Sequence, residues 1–206
     1  MQQSWANRLV HFLRGPNPLH PRIWSRRLKP VTFRRFQPSD LPDCLELHEL
    51  NRPERFPELP PNHYRDYLLG GAYFLTAEDE GRVIASGGIS YHSRTVAALC
   101  FGLIHPDYQG DGLGAALVLA RLALLKPSEP YYRVMICAVA KSIGYYHRFG
   151  FRTFNTWKDK NGERHPAGLL YLTSGEILKC RELLAAHSIS FPLDEDSVPY
   201  YAGLAD

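Results

Sequence analysis

The segment Ile104-His105-Pro106-Asp107-Tyr108-Gln109-Gly110-Asp111-Gly112-Leu113-Gly114 has the residue types of an anion cradle. Glycines let a chain turn sharply and bring successive amides against a ligand without interference from Cβ atoms. The segment joins an apolar strand pattern, Thr95 to Ile104, to an apolar helix pattern from about Gly114 to Lys126. The first amides of that helix have no intrahelical acceptor, and the helix dipole adds partial positive charge. Such a strand, turn and helix is suited to a pyrophosphate. The spacing G-x-x-x-x-G-K-[ST] is missing, which argues against a P-loop nucleotide hydrolase. Gly110-x-Gly112-x-x-Ala115 meets the loose dinucleotide pattern. The acidic residue due about 20 positions later is absent, because that region reads Tyr131-Tyr132-Arg133-Val134-Met135-Ile136.

A second group with chemistry to offer is Tyr145-Tyr146-His147-Arg148-Phe149-Gly150-Phe151. A phenol has a reference pKa of about 10, stays protonated at neutral pH and can donate to a departing thiolate. The turn also reads as Q/R-x-x-G-x-G/A, and Tyr146 to Phe151 as an aromatic residue, three residues and Gly-Phe. With both motifs at this separation and a strand pattern between them, the chain resembles the GNAT family of N-acetyltransferases, whose coenzyme-A signature is the first of the two. The resemblance extends to the order of elements from Val31 to Leu172.

That resemblance implies an α/β (α+β) fold with a mixed, largely antiparallel central sheet flanked by helices. It implies acetyl-CoA as co-substrate, no metal, and transfer of an acetyl group to an amine acceptor, whether small molecule, peptide or protein. Carried over by position, backbone groups of Leu103 and Ile104 bind the pantetheine arm at a splayed strand. The amides of Gln109, Gly110, Asp111, Gly112, Leu113 and Gly114 hold the pyrophosphate. Tyr146 is the general acid, with Tyr145 its rival. The family often has Asn where this chain has Val139; the Ser142 hydroxyl can supply that contact or cap a helix expected to begin there. The strand Thr95 to Ile104 lacks the carboxylate that some members use as base, leaving His105, His92 or a water-mediated route open. These departures keep a second reading in view, a non-catalytic acyl-CoA-binding or partner-binding module on the same fold.

The positioning elements follow from pattern. Residues 1–30 read as a basic arm with a short helix, 31–172 as the transferase-like domain, and 173–206 as a C-terminal helix and tail. Val31, Phe33 and Phe36 mark a first strand. Ser39 or Asp40 is expected to cap a helix carrying Leu41, Cys44, Leu45 and His48. Four prolines between Asn51 and Asn62 predict a loop. Strands are expected at Ala72–Thr76 and Arg82–Tyr91 around the turn Asp79-Glu80-Gly81. Further strands follow at Tyr132–Val139, Phe151–Trp157 and Gly168–Leu172, with a short helix Ser142–Phe149 among them. Thr173-Ser174-Gly175-Glu176 is a capping box that opens a last helix.

Composition bounds these readings. The chain has 206 residues, 45% hydrophobic and 22% charged, which suits one globular domain. Residues 1–30 hold six basic side chains and no acid, whereas the remainder carries 18 basic and 21 acidic groups. The body therefore has no positive excess to support a nucleic-acid enzyme. The apolar run from Ala115 to Leu125 is too short for a membrane span and contains Arg121. Four scattered cysteines without a C-x-x-C pair read as reduced thiols of a cytoplasmic protein. The helix after the glycine turn is apolar nearly all round, so both its faces need cover. The N-terminal helix, the helix Ser174 to His187 and a second subunit of a homodimer are the three candidates.

Overall fold

The computed structural model describes residues 28–55, 61–70, 72–158 and 162–200; the short helix expected near Trp5 to Leu13 lies outside them. Two short strands, β1 (Val31–Thr32) and β2 (Arg34–Arg35), lead through a 3-10 turn to α1 (Leu41–Arg55) and α2 (Pro61–Gly70). Then come β3 (Tyr73–Asp79), β4 (Arg82–Ser93), β5 (Val96–Ile104), α3 (Leu113–Ala123), β6 (Tyr131–Cys137) and α4 (Ala140–His147). The chain continues with β7 (Arg152–Lys158), β8 (Arg164–Thr173), α5 (Ser174–Ala186) and β9 (Ile189–Ser190).

Seven strands form one sheet in the order β2-β3-β4-β5-β6-β8-β7. Only β5 and β6 run parallel, joined by a crossover through α3, and the other pairs are antiparallel. The fold class expected from the sequence is the one observed. The β3–β4 hairpin closes through Glu80 and Gly81, both with positive φ (49° and 78°), the two-residue turn that suits the twist of paired strands. β4 is buried without interruption from Val83 to Tyr91, as expected of a strand covered on both faces.

Three local expectations are corrected. The expected loop from Asn51 to Asn62 is helical at both ends, where α1 runs on to Arg55 and α2 begins at Pro61; residues 56–60 lie outside the described residues. Proline tolerates the first helical position, where its missing N–H has no intrahelical acceptor to lose. Neither Ser39 nor Asp40 caps α1; Gln37 caps the 3-10 turn at Pro38–Asp40. Asp40 instead takes a bidentate bond from Arg34 (2.6 and 2.9 Å) and a bond from the Gln37 amide (2.8 Å). Burial works to raise the pKa of its carboxyl, but these donors outweigh it and hold it below the usual carboxylate range. Third, Val139 precedes α4, so Ser142 lies inside that helix rather than at its cap.

Helix α3 is buried from Ala116 to Ala123. One face covers the sheet, and the outer face is covered by α5, whose Ile177, Cys180 and Leu184 join the same core. Arg181 fastens the two helices by donating to the Ala123 and Leu125 carbonyls (2.9 and 3.1 Å). The capping box is present: the Thr173 amide and hydroxyl both donate to Glu176 (2.9 and 2.8 Å). Beyond α5, β9 pairs in parallel with β1, and Tyr200 bridges to Tyr91. Among the described residues no helix is long and apolar enough to cross a membrane.

Candidate active site

The site is built around an opening in the sheet. β5 and β6 pair only from Val96↔Arg133 to Leu99↔Ile136, while β5 continues to Ile104. The cause lies on the other side of β5. Ser86 pairs with Leu103 and Gly88 with Cys100, so Phe101 and Gly102 together face the single residue Gly87. This is a β-bulge, which bends a strand and re-aims its side chains. Phe101 adopts a positive φ of 45°, a conformation costing about 1–3 kcal/mol for a non-glycine residue. Its ring is held by Tyr64 and Tyr67 at centroid distances of 4.8 and 5.3 Å.

The bulge exchanges the faces of β5. Before it, Ala97 and Leu99 enter the core beneath α3. After it, Phe101 and Leu103 enter the core beneath α1 and α2, while Gly102 and Ile104 turn toward α3 and α4. His105 donates its amide to Ile84 (2.8 Å). Antiparallel alternation therefore turns the Ile104 amide and carbonyl toward the opening and those of Leu103 toward β4. The Ile104 carbonyl accepts from Asn51 Nδ2 and Gln109 Nε2, both at 3.1 Å.

In the turn, Gly110 and Gly112 have φ of 91° and 90°, a region that favours glycine. A Cβ on Gly110 would meet nothing within 4 Å. Gly112 immediately precedes α3, Leu113 is buried, and Asp111 pairs with Lys29 at 2.5 Å. A Cβ on Gly114 would lie 3.1 Å from Tyr145 Oη.

The two adjacent tyrosines are thereby separated. Tyr145 directs its hydroxyl at the start of α3, whereas Tyr146 directs its hydroxyl at the bulge: a Cβ on Gly102 would lie 3.3 Å from Tyr146 Oη. The same point is 3.2 Å from Arg121 Nη2. Tyr146 is steadied by Phe151 and Tyr145, with ring centroids 5.7 and 5.2 Å away. Ser142 is half-buried on α4, one turn before Tyr146.

Sequence reasoning noted Arg121 only as a charge in an apolar run. It is 1% exposed. Its Nε donates to the Leu117 carbonyl (3.2 Å) and its Nη1 to those of Gly88 (3.4 Å) and Cys100 (3.2 Å). Gly87 leaves room for the guanidinium, since a Cβ there would lie 3.1 Å from Cζ. Burial pushes the neighbouring Cys100 thiol up to about 12, against the pull of the Arg121 charge. Asn51 was also missed. A polar side chain inside the helical stripe of α1 was the available signal for it, and a lone arginine in an otherwise apolar helix was the signal for Arg121.

The candidate bases lie elsewhere. His105 accepts from the Asp107 amide (3.3 Å) at the turn, and His92 sits near the end of β4 with its pKa lowered by burial. Among the described residues no group of three or more His, Cys, Asp or Glu side chains is placed to hold a metal ion.

Comparison with known proteins agrees with this architecture. The model of the acetyltransferase (GNAT) family matches residues 41–151. No curated protein matches the chain in sequence. Among solved structures, Ard1 from Thermoplasma volcanium is 18% identical with a TM-score of 0.57, over 69% of this chain and 97% of its own. ElaA from Escherichia coli is 16% identical with a TM-score of 0.55, over 68% and 99%. The yncA protein of Salmonella typhimurium, solved with acetyl-CoA, is 17% identical with a TM-score of 0.50, over 71% and 95%.

Proposed function

The chain belongs to the acetyltransferase (GNAT) family, and from that premise we propose that it is an acetyl-CoA-dependent N-acetyltransferase acting on an amine by direct attack in a ternary complex. One observation carries this reading: the opening between β5 and β6 ends at a bulge where a phenol hydroxyl and a guanidinium converge on Gly102. Acetyl-CoA, when bound, supplies an acyl group activated as a thioester.

The residues of this chain fit that donor. The amides from Gly110 to Gly114 donate to the pyrophosphate, since Gly110 and Gly112 hold the backbone in a left-handed turn that keeps side chains out of the way; the expected Gln109 amide is instead engaged by the Pro106 carbonyl (3.1 Å). The Ile104 amide and carbonyl bond the pantetheine arm, with Gln109 Nε2 giving up that carbonyl. Leu103 holds the adjoining strand in register with Ser86. Ser142 contributes a hydroxyl from α4. Tyr146 donates its phenolic proton to the departing sulfur, and a backbone amide at the bulge meets the charge growing on the carbonyl oxygen. The acceptor amine loses its proton to water. We place the reaction in the cytoplasm, where the free thiols Cys44, Cys100, Cys137 and Cys180 persist.

The test is thiol release from acetyl-CoA with a panel of small amines and peptides, by the wild type and by Tyr146→Phe. Release that needs an amine and falls in the variant is expected. Tight acetyl-CoA binding with no release for any amine would instead assign a non-catalytic acyl-CoA-binding module.

A further inference from the structure

An arginine keeps its charge at any physiological pH. Burying it without a carboxylate is costly unless something else meets that charge. Arg121 is in that position. The five elements that bound the opening, β4, β5, β6, α3 and α4, contain no Asp or Glu. The titratable groups placed against the guanidinium are Tyr146 from α4, across Gly102, and Cys100 from β5, while Tyr145 turns its hydroxyl to Gly114. Cys137 closes β6, and the stretch of β4 that Arg121 crosses, Ser86 to Gly88, offers none. Behind α3, Glu176 is engaged by Thr173 and Glu195 by Arg181. Backbone carbonyls take Nε and Nη1, and Nη2 is turned to the point beside Gly102 that Tyr146 Oη also approaches. A fixed cation thus waits at the reacting end of the site with no resident anion among the described residues.

Resting on the function proposed above, we propose that Arg121 is a positioning residue that pins the β5 bulge and, through the space it shares with Tyr146, stabilises the negative charge left when the thioester breaks. In that step the amine nitrogen forms a bond to the acyl carbon. The C–S bond breaks with its electron pair on sulfur, and the Tyr146 proton moves to that sulfur. The amine proton goes to water, and Tyr146 is reprotonated from water. Negative charge passes from sulfur to the phenol oxygen, and a cation beside both lowers the energy of either anion.

The direct readout is the thiol of bound CoA, followed by thiolate absorbance against pH, with desulfo-CoA complexes as blanks for the tyrosines. In the wild type the bound thiol is expected to titrate about one pH unit or more below free CoA, the effect of an opposite charge within a few ångströms. Arg121→Met, with CoA affinity retained, is expected to return it to the free value or above, and Arg121→Lys to restore part of the shift. Turnover of acetyl-CoA by Arg121→Met is expected to fall about 100-fold, with KM for the donor changed less than about threefold.

A bound thiol in Arg121→Met that titrates as in the wild type overturns the proposal. If that variant does not fold, the wild type decides alone: a thiol at or above the free value overturns it. A wild-type preference for succinyl-CoA over acetyl-CoA that Arg121→Met loses would assign the cation to an acyl carboxylate instead, and also overturns it. Failure of the wild type to bind CoA at all defeats the functional reading itself, which is a different result from bound CoA with an unshifted thiol.

Discussion

Glycine serves two different physical ends in the two halves of this site. In the turn before α3, Gly110 and Gly112 are required by conformation, with φ near +90° and, at Gly110, empty space where a side chain would go. In the sheet, Gly87, Gly88 and Gly102 are required by volume. A Cβ would meet Arg121 Cζ at 3.1 Å from Gly87, Cys100 Sγ at 2.5 Å from Gly88, and Arg121 Nη2 at 3.2 Å from Gly102. The turn presents backbone to whatever binds there, and the sheet glycines make room for the protein's own side chains. On the function proposed above, donor binding falls to the turn and the chemistry to the bulge, and substitutions in each half should fail differently.

The largest effect is expected at the turn. Gly112→Val puts a β-branched residue into a left-handed conformation and a side chain against the pyrophosphate. Acetyl-CoA affinity measured by calorimetry should fall more than about 100-fold, or about 2.7 kcal/mol, while circular dichroism shows a folded domain. Retained affinity would erase the distinction between the two halves. At the bulge, Tyr146→Phe should lower kcat by about 100-fold, a usual contribution of a positioned general acid, with acetyl-CoA affinity little changed. A loss of affinity matching the loss of turnover would move Tyr146 into the binding half.

Gly88→Ala sharpens the contrast differently, because its cost is paid by the fold: overpacking against Cys100 and Phe74 should destabilise by about 1–3 kcal/mol. The thermal midpoint should drop roughly 2–4 °C for each kcal/mol. The smallest effect concerns the aromatic wall behind the bulge, where His48 is fully buried against Tyr64. Burial lowers its folded pKa, so the unfolded chain binds the proton first. Its stabilising contribution is full above the unfolded value of about 6.5 and is lost as pH falls toward the lower folded value. Chemical denaturation between pH 7.5 and 5 should show stability declining with acid, and His48→Leu should flatten that slope.

The same division explains what could be read from the sequence. The turn was legible because a left-handed backbone is a local demand that only glycine spacing meets, and the capping box at Thr173 was legible for the same local reason. That α3 needs a second cover was readable from its lack of a polar face; the choice of α5 among the candidates depended on where the chain returns after β8. The bulge was not legible, since it exists only in the register between β4 and β5, and neither strand's own pattern encodes two residues opposite one. Tyr146 led its rival Tyr145 only through its match to the motif, and the folded chain sets Gly102 beside Tyr146 and Gly114 beside Tyr145. The prolines after Asn51 pointed to a loop because proline marks helix starts as well as breaks, and only the packing of α2 against α1 distinguishes these uses.

Whether the turn and the opening form an acyl-CoA site is read out by a thermal-shift titration of the wild-type protein with acetyl-CoA beside CoA, NADH and ATP. At about 100 times the dissociation constant, a ligand specific to the folded state adds about 2.7 kcal/mol, or roughly 5–10 °C for a chain of this size. That shift is expected for acetyl-CoA and CoA, with none of comparable size for NADH or ATP. An unshifted midpoint with millimolar acetyl-CoA, or an equal shift with NADH, would contradict it.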